Sequence, residues 1–394
     1  MRAVVLLPLM CCLAGRAQQW TQLADFPGLA RDDAAAFVIG TDIYVGTGMD
    51  VGFQNTSDWY RFNTQDNTWA AIASLPATGR QYASAFAFNG IGYLLGGNVQ
   101  GMTSAEVFHY DPVQDTWAAA PPLPDAVYAS TTFMIGDRGY LCSGVLGSGL
   151  PSTLLWIHDP STGTWSSGAA IDSLPMSRAA SFAHEGKGYV VGGTPVINDA
   201  LAGAWQYDPA SDSWTTVAPL PAPRNAADAV GVADGGVVIG GQTPIPNAAY
   251  GNVWHYTAAS DTWQDLPAFP PATGRRGAVI AYVPPGSIYY GTGSDNVQRY
   301  SDWWRFDMPV GVPEVGAGGV TIHPVPARDQ LHVELQEGSI ASPFQVVDVQ
   351  GRELMRLRGG SSRYTVDVSG LAPGTYIIRA LTGRQWQRRF MVVP

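Results

Sequence analysis

The sequence predicts an all-β chain: a six-bladed β-propeller followed by a small immunoglobulin-like β-sandwich. Three observations carry that prediction. Trp20, Trp69, Trp117, Trp165, Trp214 and Trp263 recur at intervals of 48 or 49 residues, the signature of stacked repeat units rather than of one continuous core. A second column, Gly48, Gly97, Gly144, Gly193, Gly241 and Gly293, keeps the same period. The period stops at Asp307, and beyond it only short strand-like runs follow.

Each repeat reads as four strands. In the second unit, Ala83 to Phe88 is small and alternating and is followed by an Asn89-Gly90 turn. Tyr93 to Gly97 is the second strand, Val107 to Tyr110 the third, and a tight turn over Asp111 to Asp115 leads to the fourth at Trp117. A small first strand suits the crowded centre of a propeller, and the glycine pair suits close packing between sheets. Two more columns support the register. Tyr44, Tyr93, Tyr140, Tyr189, Val237 and Tyr289 stand four residues before each glycine, and Phe62, Tyr110, His158, Tyr207 and Tyr256 stand seven before five of the tryptophans. The sixth unit ends at Trp304 to Asp307 with no tryptophan after it, whereas Trp20 precedes the first unit with no strands before it. Trp20 to Leu23 is therefore expected as the outermost strand of the last blade, leaving no open edge at the junction.

This pattern resembles the kelch repeat over residues 18–310, the Gly-Gly, Tyr-Asp and Trp columns being its marks. Thr47-Gly48, Ser143-Gly144 and Thr292-Gly293 depart from strict Gly-Gly, and His158 replaces an aromatic.

Residues 311–319 read as a Pro/Gly/Val linker, and residues 320–394 as a strand-only domain. Leu331 to Leu335 alternates, Phe344 to Val349 ends at Gln350-Gly351, and Val366 to Val368 leads to Leu371 to Arg379. A hairpin through Thr382-Gly383 closes on Arg389 to Val393, which implies the sandwich. The segments His323-Pro324-Val325-Pro326-Ala327, Asp348-Val349-Gln350-Gly351-Arg352 and Asp367 to Tyr376, with the basic-aromatic last strand, resemble the C-terminal sorting domain of type IX secretion substrates of the Bacteroidetes. Val325 stands where that family usually has Asn. The resemblance implies translocation by secretion machinery acting on residues 320–394, then removal of the domain and attachment to the cell surface. The competing reading of the tail is an ordinary β-sandwich binding module.

Residues 1–17 read as a signal peptide, with Arg2 as the positive region, Ala3 to Ala14 as the apolar run, and small residues before Gln18. Cys11 and Cys12 raise a lipidated start, but Met10 and Cys11 are poor residues before a lipidated Cys. No other apolar run is long enough to span a bilayer, so the expected location is secreted or on the outer surface. Cleavage would leave Cys142 as the sole cysteine, with no internal disulfide. The net charge of −10, with Lys187 the single lysine, argues against nucleic acid.

Long loops joining second to third strands, such as 193–203 and 241–252, share a face with the blade-to-blade connections. A ligand is expected there, at the channel mouth. Arg31, Arg80, Arg178, Arg224, Arg275 and Arg276 precede the first strands, with Tyr128 in blade three. Such a near-ring of guanidinium groups suits carboxylates of acidic sugars or of a protein ligand. Its structural alternative is hydrogen bonding to loop carbonyls and pairing with Asp32, Asp33 and Asp228. Phe53, Tyr250 and Tyr300 offer rings for sugar stacking.

No metal and no cofactor is expected. His109 and His255 share a column on opposite sides of the ring, His158 replaces an aromatic, and convergence on one ion is not anticipated. Copper radical oxidases among kelch propellers need a Cys-linked Tyr, whereas Cys142 sits in a core strand position. The resemblance also extends to six-bladed bacterial kelch enzymes that mutarotate sialic acid, which need a carboxylate for proton transfer. Glu106 and Asp228 are the candidates, Glu185 being on the short-loop face. The expectation is a binding module for a glycan or protein ligand, with a sugar-modifying enzyme of the mutarotase or epimerase kind as the alternative.

Overall fold

The structure is a computed structural model that describes residues 19–171, 174–195, 199–271, 273–284, 286–308, 320–323, 327–335, 343–348, 353–358, 361–372, 374–381 and 387–392. The expected signal peptide, the linker, Pro324 to Pro326, the Gln350-Gly351 turn and the Thr382-Gly383 hairpin lie outside those residues. The chain divides into two compact units, Met1–Pro309 and Val310–Pro394.

The first unit is a ring of six antiparallel four-stranded blades. Their inner strands begin with Ala35–Ile39, Ser84–Phe88, Thr131–Ile135, Ala180–His184, Asn225–Val232 and Val279–Val283. Each inner strand touches its neighbours on both sides, and the last returns to the first. Closure is supplied by Gln19–Gln22, which pairs with Trp303–Asp307 in the register Trp20 to Phe306. Blade five departs from the expected loop: its second strand runs on through Gly235–Pro244 and folds back as a hairpin with Asn247–Ala249.

Why these residues close a ring is visible in the residue two before each inner strand in the repeat register. Asp33, Tyr82, Ala129, Arg178, Ala226 and Gly277 all have φ between 50° and 55°. In that left-handed turn each N–H donates to the carbonyl of its predecessor, at 2.8–3.0 Å, and Asp33 N–H donates to Gly277 to complete a circle of six. A second circle is made by the glycine column. The N–H groups of Gly48, Gly97, Gly144, Gly193, Gly241 and Gly293 donate at 2.7–2.9 Å to the carbonyls of Arg80, Val127, Met176, Arg224, Arg275 and Arg31 in the next blade. These glycines have φ of 80–104°, which is why the column tolerates no side chain.

Blades pack face to face through a phenylalanine against a bare backbone. A Cβ on Gly92, Gly139, Gly188 or Gly236 would come within 2.1–2.6 Å of the ring of Phe37, Phe86, Phe133 or Phe182 in the preceding blade. Each of those rings also stacks on the tyrosine of its own second strand, as Phe133 does on Tyr140 at 5.1 Å.

Outside blade three, the tryptophan column staples each outer strand to the blade before it. In blades two, four and five, Tyr110, Tyr207 and Tyr256 donate to Asp115, Asp212 and Asp261 at 2.7–2.8 Å. The same carboxyl oxygens accept the N–H of Ala73, Ala169 and Ala218 at 2.7–2.8 Å. Trp117, Trp214 and Trp263 donate to the carbonyls of those same alanines at 2.8–2.9 Å. One alanine is thus gripped at both of its backbone polar groups. Trp20 makes the carbonyl half of the staple with Pro267 at 3.0 Å. Blade three departs as a set: Pro121 occupies the alanine position and has no N–H, Gly163 replaces the aspartate, and His158 replaces the tyrosine. The Trp165 indole nitrogen has no partner among the described residues. Burial, then the nearby His109, hold the His158 ring down at about 4.

The second unit is a sandwich of two sheets. One holds Val320–His323, Gln330–Leu335 and Arg363–Asp367, the other Glu353–Leu357, Phe344–Asp348, Gly374–Ala380 and Gln387–Val392. Leu331, Val333, Phe344, Val346, Val366, Ile378 and Phe390 form its core. The Asp367 to Tyr376 segment earns its residue types locally. Asp367 accepts the Ser369 N–H at 3.0 Å to set the turn, and Tyr376 O–H donates back to Ala372 at 2.7 Å, the bracing of a tyrosine corner.

Asp212→Ala leaves a peptide N–H and a phenol without their acceptor and should cost about 1–3 kcal/mol in urea unfolding. Gly163→Asp should gain nothing, because Pro121 offers no N–H to receive; a stabilised Gly163→Asp variant would contradict the staple. His158 stays neutral in the fold while the unfolded chain takes up its proton below the ordinary 6.5. Stability should therefore fall as pH drops from about 6.5 towards about 4, by up to about 1.4 kcal/mol per pH unit from this group. Calorimetric scans of His158→Phe should lose that part of the slope, and an unchanged slope would refute the assignment.

Candidate functional site

The floor of the long-loop face is built from six pairs, one per blade. The residue three before each inner strand bridges to the residue after each column glycine: Asp32 to Met49, Gln81 to Asn98, Tyr128 to Val145, Ser177 to Thr194, Asn225 to Gln242, and Arg276 to Ser294. The backbone is the same in every blade, and the side chains differ.

Over blades six and one the pairs are charged and closed. Asp32 is 1% exposed and receives Arg276 at 2.8 Å and Arg299 at 2.6 Å. Arg276 also reaches Asp33 at 3.4 Å and Asn296 at 2.7 Å. Burial and the adjacent Asp32 push the Asp33 carboxyl up to about 6, against the pull of Arg276 and Arg178.

Over blades three, four and five the face is open. A cavity of about 690 Å³ has Tyr128, Ser177, Asn225 and Gln242 on its floor. Leu150 and Pro151 from blade three and Pro244 and Asn247 from the blade-five hairpin form its walls. Arg178 lies at its inner edge, and no Asp or Glu is among its described lining residues. Arg178 also lines a recess of about 130 Å³ at the channel mouth with Asp33, Tyr82 and Asp228. It spans the small Ala129 to reach blade two, donating to the Tyr82 hydroxyl at 3.1 Å with its guanidinium 4.8 Å from that ring's centre. Burial and Asp33 raise the Tyr82 phenol. Burial and Asp33 likewise hold Asp228 well above the usual carboxylate range, opposed by a backbone bond and the Tyr290 hydroxyl.

The arginines aligned in the sequence occupy three neighbouring columns. Arg31, Arg80, Arg224 and Arg275 stand four residues before the inner strand, in the wall between loops. Arg31 is 0% exposed and grips Asp58 with two bonds of 2.7 and 2.8 Å. Arg80 pairs with Glu106 at 2.8 Å and lies 5.0 Å from the Phe108 ring centre. Arg275 pairs with Asp302 at 2.9 Å and lies 3.4 Å from the Tyr300 ring centre. Arg224 has no carboxylate partner among the described residues; it donates to Asn252 at 3.0 Å and lies 3.8 Å from the Tyr250 ring centre. Blades three and four fill this column with buried Val127 and Met176. Arg276 lies one column nearer the axis, and Arg178 one further, on the channel itself. Sequence spacing alone does not resolve columns one residue apart. Asp33 and Tyr82 share the Arg178 column; for that reason Tyr82 escaped notice and Asp33 was read only as a partner for the arginines, and their four-residue distance ahead of Phe86 and Phe37 was the available signal.

Glu106 is half exposed and engaged by Arg80 and Ser104. Tyr250 and Tyr300 are committed to the wall arginines. His109 and His158 both pack on Tyr93, with ring centres 4.4 and 5.5 Å from it. Among the described residues no three His, Cys, Asp or Glu side chains could hold a metal ion. Cys142 is fully buried, which pushes its thiol up. No helix among the described residues is long and apolar enough to cross a membrane.

Comparison with known proteins agrees with these units. Residues 321–393 match the secretion system C-terminal sorting domain, and residues 175–221 match the kelch motif. Kelch-like protein 35 of Mus musculus is 30% identical over 42% of this chain and 28% of its own length. N-acetylneuraminate epimerase of Shigella sonnei is 32% identical over 20% of this chain and 23% of its own. The chain thus spans about a quarter of these curated relatives. The solved structure of YjhT superposes with a TM-score of 0.59 at 17% identity, covering 72% of this chain and 95% of that one. The repeat columns, the blade geometry and the matched tail together identify the chain as a kelch-repeat β-propeller protein that carries a C-terminal secretion-system sorting domain.

Proposed function

We propose that the propeller is an exported binding module, and that the cavity over blades three to five takes a glycan or protein segment bearing a carboxylate. The observation that carries this reading is the pairing of one mouth-facing cation, Arg178, with a cavity whose described lining residues include no acidic side chain. A guanidinium at the edge of a partly apolar cavity favours an anion over a neutral group. Tyr128 supplies a ring and a hydroxyl beside it, whereas Arg276 is offset by Asp32 and Asp33. Arg31, Arg80, Arg224 and Arg275 support the site indirectly by holding the loops in place. Export would begin with residues 1–17 as signal peptide. The sorting domain would then engage a type IX pathway of the Bacteroidetes kind, with release of the tail and attachment at the cell surface.

A second reading has its own support. Asp33 and Asp228 flank Arg178 in the channel-mouth recess with raised proton affinities, as acid–base groups for a sugar would need. One relative is also named an N-acetylneuraminate epimerase. Under this reading the protein is a sugar-modifying enzyme, and Asp33 rather than Glu106 joins Asp228 as the candidate.

On an array of acidic glycans and acidic peptides, the mature protein should be retained by one class. Arg178→Ala should weaken that retention by at least about tenfold. Raising salt to physiological strength should weaken it too, because the screening length falls to about 8 Å. Arg178→Ala should melt near the parent temperature, whereas Arg80→Ala should melt lower because it strands Glu106 and a loop carbonyl. Full retention by Arg178→Ala would refute the assignment. Faster anomer exchange of N-acetylneuraminate by NMR, lost in Asp33→Asn, would favour the enzyme; no acceleration leaves the binder.

A further inference from the structure

Between the long loops of blades one and two lies a separate cavity of about 460 Å³ whose chemistry is unlike that of the first. Five carboxamide side chains line it, Gln54, Asn55, Gln81, Asn98 and Gln100, and no ionisable group is among its described lining residues. Phe53 stands at its edge, 71% exposed. An exposed phenylalanine in a polar rim calls for a cause, and the local backbone makes the case sharper. Phe53 has φ of 59°, a left-handed conformation that costs a bulky residue roughly 1–2 kcal/mol.

The loop is built to hold it there. The Asp50 carboxylate accepts the N–H of Gly52 at 2.7 Å and of Gln54 at 2.9 Å, while Phe53 N–H donates to the Asp50 carbonyl at 3.0 Å. Arg299, fixed by its ion pair with Asp32, lies 4.6 Å from the ring centre. One face of the ring is therefore backed by a cation and the ring is presented in a single pose. Opposite it, Gln100 is also left-handed, with φ of 51°, in a hairpin tip fixed by Asn98 accepting the Gly101 N–H at 2.8 Å. Asn55 ties the two blades together by donating to the Asn98 carbonyl at 3.0 Å, and its side-chain oxygen is buried without a partner among the described residues. Backbone strain kept at a rigid, exposed position points to a binding role rather than a packing one.

The geometry points to a neutral-sugar subsite: Phe53 as the platform for the apolar face of a pyranose ring, and the surrounding carboxamides as partners for its hydroxyls. Each carboxamide offers a donor and an acceptor side by side, which matches adjacent hydroxyl groups. The absence of charge from the lining disfavours acidic or basic peptide side chains, whose desolvation nothing here would offset. The inference stands apart from the acidic-ligand cavity, since the two share no lining residue.

The test is affinity electrophoresis of the mature protein in native gels containing mannan, xylan, laminarin or β-1,4-glucan, with polygalacturonate and gelatin gels as controls. At least one neutral polysaccharide should retard the protein, and 0.5 M salt (roughly a 4–5 Å screening length) should leave the retardation unchanged. Phe53→Ala should weaken it by about tenfold or more at an unchanged melting temperature, Phe53→Trp should restore it, and Arg178→Ala should not affect it. Failure of every neutral gel to retard the protein would overturn the proposal. So would equal retardation of Phe53→Ala, or retardation confined to polygalacturonate or gelatin. Loss in Arg178→Ala together with insensitivity to Phe53→Ala would assign all binding to the first cavity instead.

Discussion

The propeller depends on one repeated contact, the backbone bond from each left-handed residue ahead of an inner strand to the same residue in the blade before. Six such bonds form a closed circle from Asp33 through Tyr82, Ala129, Arg178, Ala226 and Gly277. A closed circle has no end at which to fray, and no member shifts without moving both neighbours. The glycine column adds a second circle just outside it. Because the inner circle is made by backbone, the side chains at its six positions are free to vary. That freedom, shared by the residue just before each one, gives the long-loop face two sets of six equivalent positions whose chemistry changes from blade to blade.

The division of that face follows directly. Where the variable positions hold Asp32, Asp33 and Arg276, charges meet at 2.8–3.4 Å and the surface closes. Where they hold Tyr128, Ser177 and Asn225, no ion pair among the described residues spans the gap and a cavity remains. Arg178 belongs to the circle by its backbone and to the cavity by its side chain. A residue so fixed presents its guanidinium at little further ordering cost when a ligand arrives.

Much of the fold was legible because the repeat was written six times. Trp20 at the head of the chain, lacking strands before it, announced a blade completed from both ends. Departures were legible as residues but not as causes: His158, Gly163 and Pro121 look unrelated until the staple shows that losing the N–H at Pro121 removes the reason for the other two. The blade-five hairpin was missed because Gln242 to Ala249 contains two prolines, which read as a loop. In the tail, Glu353–Leu357 was missed because it is an edge strand, partly exposed and without clean alternation. At the site, the arginines were visible but their columns were not. A one-residue offset ahead of a strand separates a side chain buried against a loop from one lining the channel, and spacing alone does not carry that distinction.

The central claim is that the inner circle behaves as a single unit, and hydrogen exchange of its six amides under mild denaturant tests it most directly. The account predicts that the N–H groups of Asp33, Tyr82, Ala129, Arg178, Ala226 and Gly277 share one opening free energy, equal to that of global unfolding of the propeller. Early exchange of one or two of these amides by local opening, with the rest still protected, would contradict it.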